Sequence, residues 1–131
     1  MKLLALTAIT LFAATSQADI INCVFTEPFI DTSYSMAQQS LTYNSFDGEG
    51  TVTTVVKNVS FQIKGPGEFE LVAKDGTVLQ KLTLNNKGSD GMSDRVFPYE
   101  VEDKGMAGMA NSGWGGCSSN FLKATDDSGS K

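Results

Sequence analysis

The chain contains no histidine, and its 131 residues include only two cysteines, three prolines, one tryptophan and one arginine. Without imidazole, Ser-His-Asp and Cys-His nucleophile systems cannot be assembled within one chain, and neither can histidine-based zinc or iron sites. With both cysteines oxidised, no thiolate nucleophile would remain. Phosphate-binding and dinucleotide fingerprints are also missing. The runs Gly105-Met106-Ala107-Gly108 and Gly113-Trp114-Gly115-Gly116 are rich in glycine, but neither stands between a strand and a helix. No stretch of eleven residues carries a helical period. Long apolar runs are absent too: the one candidate, Leu3 to Phe12, is about half of the roughly 20 residues needed to span a bilayer.

That short apolar run has another use. Lys2 precedes it, and Ser16-Gln17-Ala18 places small residues at the two positions a signal peptidase reads. The pattern predicts a signal peptide over residues 1–18, cleavage after Ala18, and a periplasmic or secreted destination. Cys23 is preceded by Asn22 and stands too far from the apolar run for a lipobox. Removing Lys2 would leave nine basic residues against fifteen acidic ones. An acidic domain with no basic stripe argues against nucleic acid and anionic lipid as partners and is compatible with a cationic one.

Strand signals fill the rest. Ile20 to Phe25 is a β-branched run that carries Cys23. Asp31 to Tyr43 reads as one long strand or two short ones, and Asn44 to Gly50 as a loop. Thr51 to Lys64 is the strongest single strand, rich in threonine and valine and alternating at Val59, Phe61 and Ile63. Phe69 to Ala73 and Thr77 to Leu84 flank Asp75-Gly76, which predicts a hairpin with a type I′ turn. Asn85 to Ser93 is turn-rich. Phe97, Tyr99 and Val101 then alternate with Pro98, Glu100 and Glu102, and the proline places that strand at an edge or at its own beginning. Asn120 to Ala124 offers a last short strand. Strands with turns every eight to twelve residues predict an all-β fold, a small antiparallel β-barrel or sandwich, in one domain over residues 19–124 with a polar tail at 125–131.

Two cysteines at opposite ends of an exported domain predict a Cys23–Cys117 disulfide closing that domain; the alternatives are two buried thiols or a two-cysteine metal site. Such a closure constrains the unfolded chain by roughly 4–5 kcal/mol in the chain-entropy model.

The candidate binding site is the stretch Ser89 to Tyr99, with Ser89, Asp90, Gly91, Ser93, Asp94, Arg95 and Tyr99 as its named residues. It gathers turn residues, two acids and the lone arginine ahead of an aromatic strand. Its structural reading is simpler: glycine for positive φ and aspartates for side-chain-to-backbone turns. Trp114, between glycines, is a candidate contact for a sugar or a partner, or else a plug at the end of the barrel. Carboxylate catalysis would need two acids about 5–10 Å apart, for which Asp90 with Asp94 or Glu100 with Glu102 are the available pairs. Calcium could use Asn86, Asp90, Ser93 and Asp94, but residue twelve from Asn86 is Phe97, which fails the EF-hand pattern. The expectation is a non-catalytic protein without metal or cofactor. Asn58-Val59-Ser60 matches the glycosylation sequon in mid-strand.

Three pieces in order, Thr26-Glu27-Pro28-Phe29, then Ser89-Asp90-Gly91-Met92-Ser93-Asp94-Arg95 ahead of Phe97-Pro98-Tyr99, then Gly116-Cys117, resemble a family of small, mostly uncharacterised bacterial envelope proteins. The family often has Trp where this chain has Ile30, and Cys where it has Gly88. The resemblance implies an exported small β-barrel and no established activity. A fainter likeness is to membrane-bound lysozyme inhibitors, in which a Ser- and Gly-containing loop leads into an aromatic strand. That likeness implies a basic lysozyme as partner, engaged by Ser89, Gly91, Ser93, Arg95 and Tyr99.

Overall fold

A computed structural model describes residues 19–25, 30–47, 50–104, 113–120 and 122–126. The expected signal peptide, the Thr26–Phe29 motif, the Gly105–Gly108 run and the end of the tail lie outside the described residues. Among the described residues, ten strands form: β1 (Ile20–Phe25), β2 (Ile30–Ser35), β3 (Ser40–Asp47), β4 (Gly50–Lys57), β5 (Ser60–Gly65), β6 (Glu68–Val72), β7 (Val78–Gly88), β8 (Arg95–Asp103), β9 (Trp114–Ser119) and β10 (Thr125–Asp126). They make one antiparallel sheet in the order β4-β3-β2-β1-β9-β8-β7-β6-β5, with β10 added to β8. The expected all-β fold is present.

The expected Cys23–Cys117 disulfide is present as well, but the sheet does not close into a barrel. Cys23 and Cys117 face each other directly across β1 and β9 and are joined by a disulfide with their Cα atoms 4.0 Å apart. The bond therefore fastens the first long strand to the last in mid-sheet. The ladder remains open on the far side, between β4 and β5, so the sheet is curled rather than a closed barrel. Every step of the order is antiparallel, and eight steps separate β4 from β5, so these two edges run in the same direction. Only Asn58 and Val59 lie between them. They are the single strand expected over Thr51–Lys64, bent in the middle: its first half pairs with β3 and its second with β6. Asn58 makes the bend at φ +63°, a conformation asparagine accepts more readily than most residues. Val59 is fully buried there; its N–H donates to Gln39 O (2.8 Å), and its carbonyl accepts the Tyr34 hydroxyl (2.7 Å). The sequon asparagine is thus exposed at a bend.

Alternation puts one set of side chains inside the curl. Ile21, Cys23, Phe25, Tyr34, Leu41, Leu71, Leu82, Tyr99, Val101 and Cys117 form the core, drawn from seven strands. Phe69 sits at its rim, stacked on Phe61 at 5.1 Å and edge-on to Tyr99 at 6.1 Å. Burial of such side chains contributes about 1.5–3 kcal/mol each.

Several local expectations shift. Asp31–Tyr43 is two strands, with a turn at residues 36–39. Asn44–Asp47, read as loop, continues β3, because the hairpin to β4 needs only two connecting residues. The β6–β7 hairpin forms at Asp75-Gly76, but only Gly76 has positive φ, so the turn is not type I′. Gly76 N–H donates to Ala73 O and Ala73 N–H to Thr77 O, the pattern of a three-residue loop with glycine at its left-handed position. Asn85–Gly88, also read as turn, extends β7 through a register shift between Leu84 and Gly88. That shift explains Pro98: it lies in a central strand, between the Gly88↔Phe97 and Leu84↔Tyr99 pairs, where the ladder is already interrupted. The glycine-rich run Gly113–Gly116, which carried no strand signal, leads into strand β9, and the last ladder lies at Thr125–Asp126 rather than at Asn120–Ala124.

Candidate functional site

The connection from β7 to β8 holds most of the candidate residues, and its polar groups are turned on one another. Asp90 Oδ1 accepts the backbone N–H of Met92 (2.9 Å) and Ser93 (2.8 Å), and Oδ2 accepts the Ser93 hydroxyl (2.9 Å). Ser89 Oγ accepts Gly91 N–H, and Ser93 Oγ accepts Arg95 N–H. Gly91 sits at φ +77°. The N–H groups of Ser93 and Met92 hold the Asp90 carboxyl below its ordinary range, the opposite of what a general acid requires. Asp94 and Arg95 are exposed, but they make no ion pair with each other; the Arg95 guanidinium lies 5.4 Å over the Phe97 ring. Gly88, at the loop's entrance, is packed so closely that a Cβ would meet Tyr99 O at 2.0 Å and the Gly116 Cα at 2.9 Å. No larger side chain fits at position 88 without moving backbone.

Tyr99 is not on this surface. It is buried in the core, where desolvation, and then the charge of Asp19, push its hydroxyl pKa up. Trp114 stands elsewhere again. It pairs with Glu102, seven residues along β8 from Arg95, a separation of roughly 23 Å at about 3.3 Å per residue. The sequence-predicted residues therefore divide into a self-bonded turn, a core tyrosine and a separate exposed indole.

The indole is 52% exposed, so it does not plug the interior. It belongs to the outer face of the sheet, where one rung runs Glu70, Lys81, Glu102, Trp114 across β6 to β9. The next rung carries Glu68, Thr83 and Glu100. These side chains, with Lys64, line a depression of about 290 Å³. Glu102 is paired with Lys104 at 3.4 Å, and Glu100 accepts from Asn85 Nδ2 at 3.0 Å. Four carboxylates against Lys64, Lys81 and the Lys104 paired with Glu102 leave this face with one net negative charge beside an open π surface. Glu100 and Glu102 were legible in the sequence as a solvent face; Glu68, Glu70 and Lys81 join them only through cross-strand register.

Inside lies a second polar group that no local sequence pattern signals. Gln80 Nε2 donates to Asp103 Oδ2 (2.8 Å) and to Thr32 Oγ1 (3.0 Å), and the Tyr43 hydroxyl donates to Asp103 Oδ2 (3.0 Å). Thr32, Gln80 and Asp103 are buried, and Gln80 Oε1 has no hydrogen-bond partner. Burial, then the Asp103 carboxylate, drive the Tyr43 pKa far above its ordinary value. Among the described residues, no group of three or more Asp, Glu or Cys side chains is placed to hold a metal ion. No helix there is long and apolar enough to cross a membrane.

Comparison with protein-family models, curated proteins and solved structures returns no match.

Proposed function

We propose that this is an exported, non-catalytic binding protein acting in the periplasm or outside the cell, and that it holds a cationic partner on the outer face of β6–β9 around Trp114. The observation that carries the reading is the half-exposed indole standing among Glu68, Glu70, Glu100 and Glu102. A lysine or arginine side chain over an indole face gains about 0.5–1 kcal/mol at an exposed site and more when desolvated. Neighbouring carboxylates steer it there. Trp and Arg contacts of this kind dominate many interfaces. The Cys23–Cys117 disulfide supports an oxidising destination.

The Ser89–Asp94 turn supports binding less, because the oxygens a ligand would use already accept its own N–H and O–H groups. Hydrolysis by Asp90 and Asp94 is disfavoured too, because both Asp90 oxygens are already engaged and its carboxyl is held below its ordinary range. A basic lysozyme remains a specific case of a cationic protein partner, and the acidic face gives that case its support.

Trp114 is the only tryptophan, so its fluorescence reports on the proposed site directly. Titration of the oxidised protein with a basic lysozyme and with oligolysine should shift or quench the emission, with the effect lost at high salt and in a Glu100→Gln, Glu102→Gln variant. An unchanged emission accompanied by NMR shifts confined to residues 89–95 would move the site to the β7–β8 turn. Lysozyme activity unaffected by an excess of the protein would remove the inhibitor case.

A further inference from the structure

The two free edges of the sheet are built differently. β5 carries Gln62 and Lys64, its ladder shifts register between Ile63 and Gly65, and Pro66 follows it. Charge, irregularity and proline are the devices that keep an edge from pairing with another chain. β4 has none of them over Gly50–Val56. Its sequence there is Gly-Thr-Val-Thr-Thr-Val-Val, and it pairs with β3 over eight consecutive residues without a shift. Every residue of the strand but Val56 is exposed, Val52 at 58% and Val55 at 48%. A long, flat, uncharged edge of β-branched residues is a template for strand addition.

We infer that β4 is a self-association edge: it pairs antiparallel with β4 of a second copy of this chain, about a two-fold axis normal to the sheet at Thr53. An axis in that direction preserves the faces of the sheet. Thr53 then meets Thr53 of the second copy, Val52 meets Thr54, and Thr51 meets Val55. All of these are uncharged β-branched pairs, which are favourable cross-strand neighbours. No like charges are opposed, although the chain as a whole carries a net charge of −5.

The edge fits a second copy better than a foreign peptide. Peptides added to a sheet edge gain their specificity from pockets that receive alternate side chains. One depression beside β4 is lined by Val56, Lys57, Ala73, Lys74 and Asp75, at the strand's C-terminal end. A flat, self-complementary strand needs no such pockets, because the two-fold repeats one surface on both sides. The inference does not rest on a ligand at Trp114, which lies on β9, on the other side of the disulfide-linked strand β1.

A contact of one strand pair lies at the small end of interface sizes, so the dimer is expected to be weak, with a dissociation constant of about 10–1,000 μM. Sedimentation velocity on the oxidised protein over a concentration series should show the mass doubling toward about 1 mM. Hydrogen exchange of those Thr51–Val55 amides that point away from β3 should slow in step with it. Val52→Lys with Val55→Lys places charges on exposed positions and leaves the core untouched; it should weaken the dimer at least tenfold while Trp114 emission and the unfolding midpoint stay near wild type. A monomer at every concentration overturns the inference. So does a dimer indifferent to the two lysines, which would use another surface. Slow exchange, in dilute monomer, of the β4 amides that point away from β3 also overturns it, because that edge would then be covered within its own chain.

Discussion

Two polar clusters in this molecule invite comparison: the Ser89–Asp94 turn and the buried group of Thr32, Tyr43, Gln80 and Asp103. Both satisfy carboxylate oxygens with several donors. In the turn the partners lie two or three residues apart in sequence, and the cluster is on the surface. In the interior they lie 23, 48 and 60 residues apart and tie β2, β3, β7 and β8 together across the curl. The turn can form whenever its own few residues meet, so it aims the chain from β7 into β8 and little more. The interior group forms only when the whole sheet has curled. A buried donor or acceptor left without its partner costs about 1–3 kcal/mol, whereas an exposed one returns to water. The more conspicuous motif is therefore the less consequential for stability.

The sharpest way to break the comparison is to remove one acid from each cluster. Asp103→Ala leaves the Tyr43 hydroxyl and one Gln80 N–H without their acceptor, and urea unfolding should show a loss of about 3 kcal/mol. Asp103→Asn keeps an acceptor in place and should lose less. Next comes pH. Burial raises the pKa of Tyr34, Tyr43 and Tyr99, and they are the only tyrosines in the chain. A pKa raised by folding means stability that is intact below the unfolded value of 10.0 and is lost as pH climbs above it. Phenolate absorbance near 295 nm should therefore lag behind that of the urea-unfolded chain above pH 10 and appear together with unfolding. The smallest effect belongs to the turn: Asp90→Ala should cost about 1 kcal/mol or less, with Trp114 emission unchanged. Because folding lowers the Asp90 pKa, its contribution is present above the ordinary value of 3.8 and fades as pH falls below it. A larger loss from Asp90→Ala than from Asp103→Ala would reverse the ranking.

Alternation carried the all-β reading, and the cysteine positions carried the pairing, because both signals are local or nearly forced. Strand β9 was missed for a physical reason. Trp-Gly-Gly-Cys-Ser-Ser has neither alternation nor β-branched residues, and its glycines serve close approach instead: a Cβ on Gly115 would meet Val24 O at 2.1 Å. The bend at Asn58 was hidden inside a strong strand pattern, since one positive-φ residue leaves the Thr/Val composition on both sides intact. Candidate site residues fared unevenly. The turn chemistry of Asp90 and Gly91 could be read from their types, but the placement of Tyr99 inside and Trp114 outside depends on the parity of two strands. The company Trp114 keeps, Glu70 and Lys81 above all, depends on register between strands and is beyond any local pattern.

The disulfide has a further consequence for the chain's durability. Residues 23 and 117 are joined across 94 positions of sequence, so everything from Val24 to Gly116 belongs to one covalent ring. A protease that cuts once anywhere in that ring, in the β3–β4 hairpin for example, opens it without separating the pieces. The cut protein keeps its mass, increased by one water, and its two parts stay tethered at the middle of the sheet. Release of a fragment requires a second cut or a reductant, and a single nick becomes visible on a gel only after reduction.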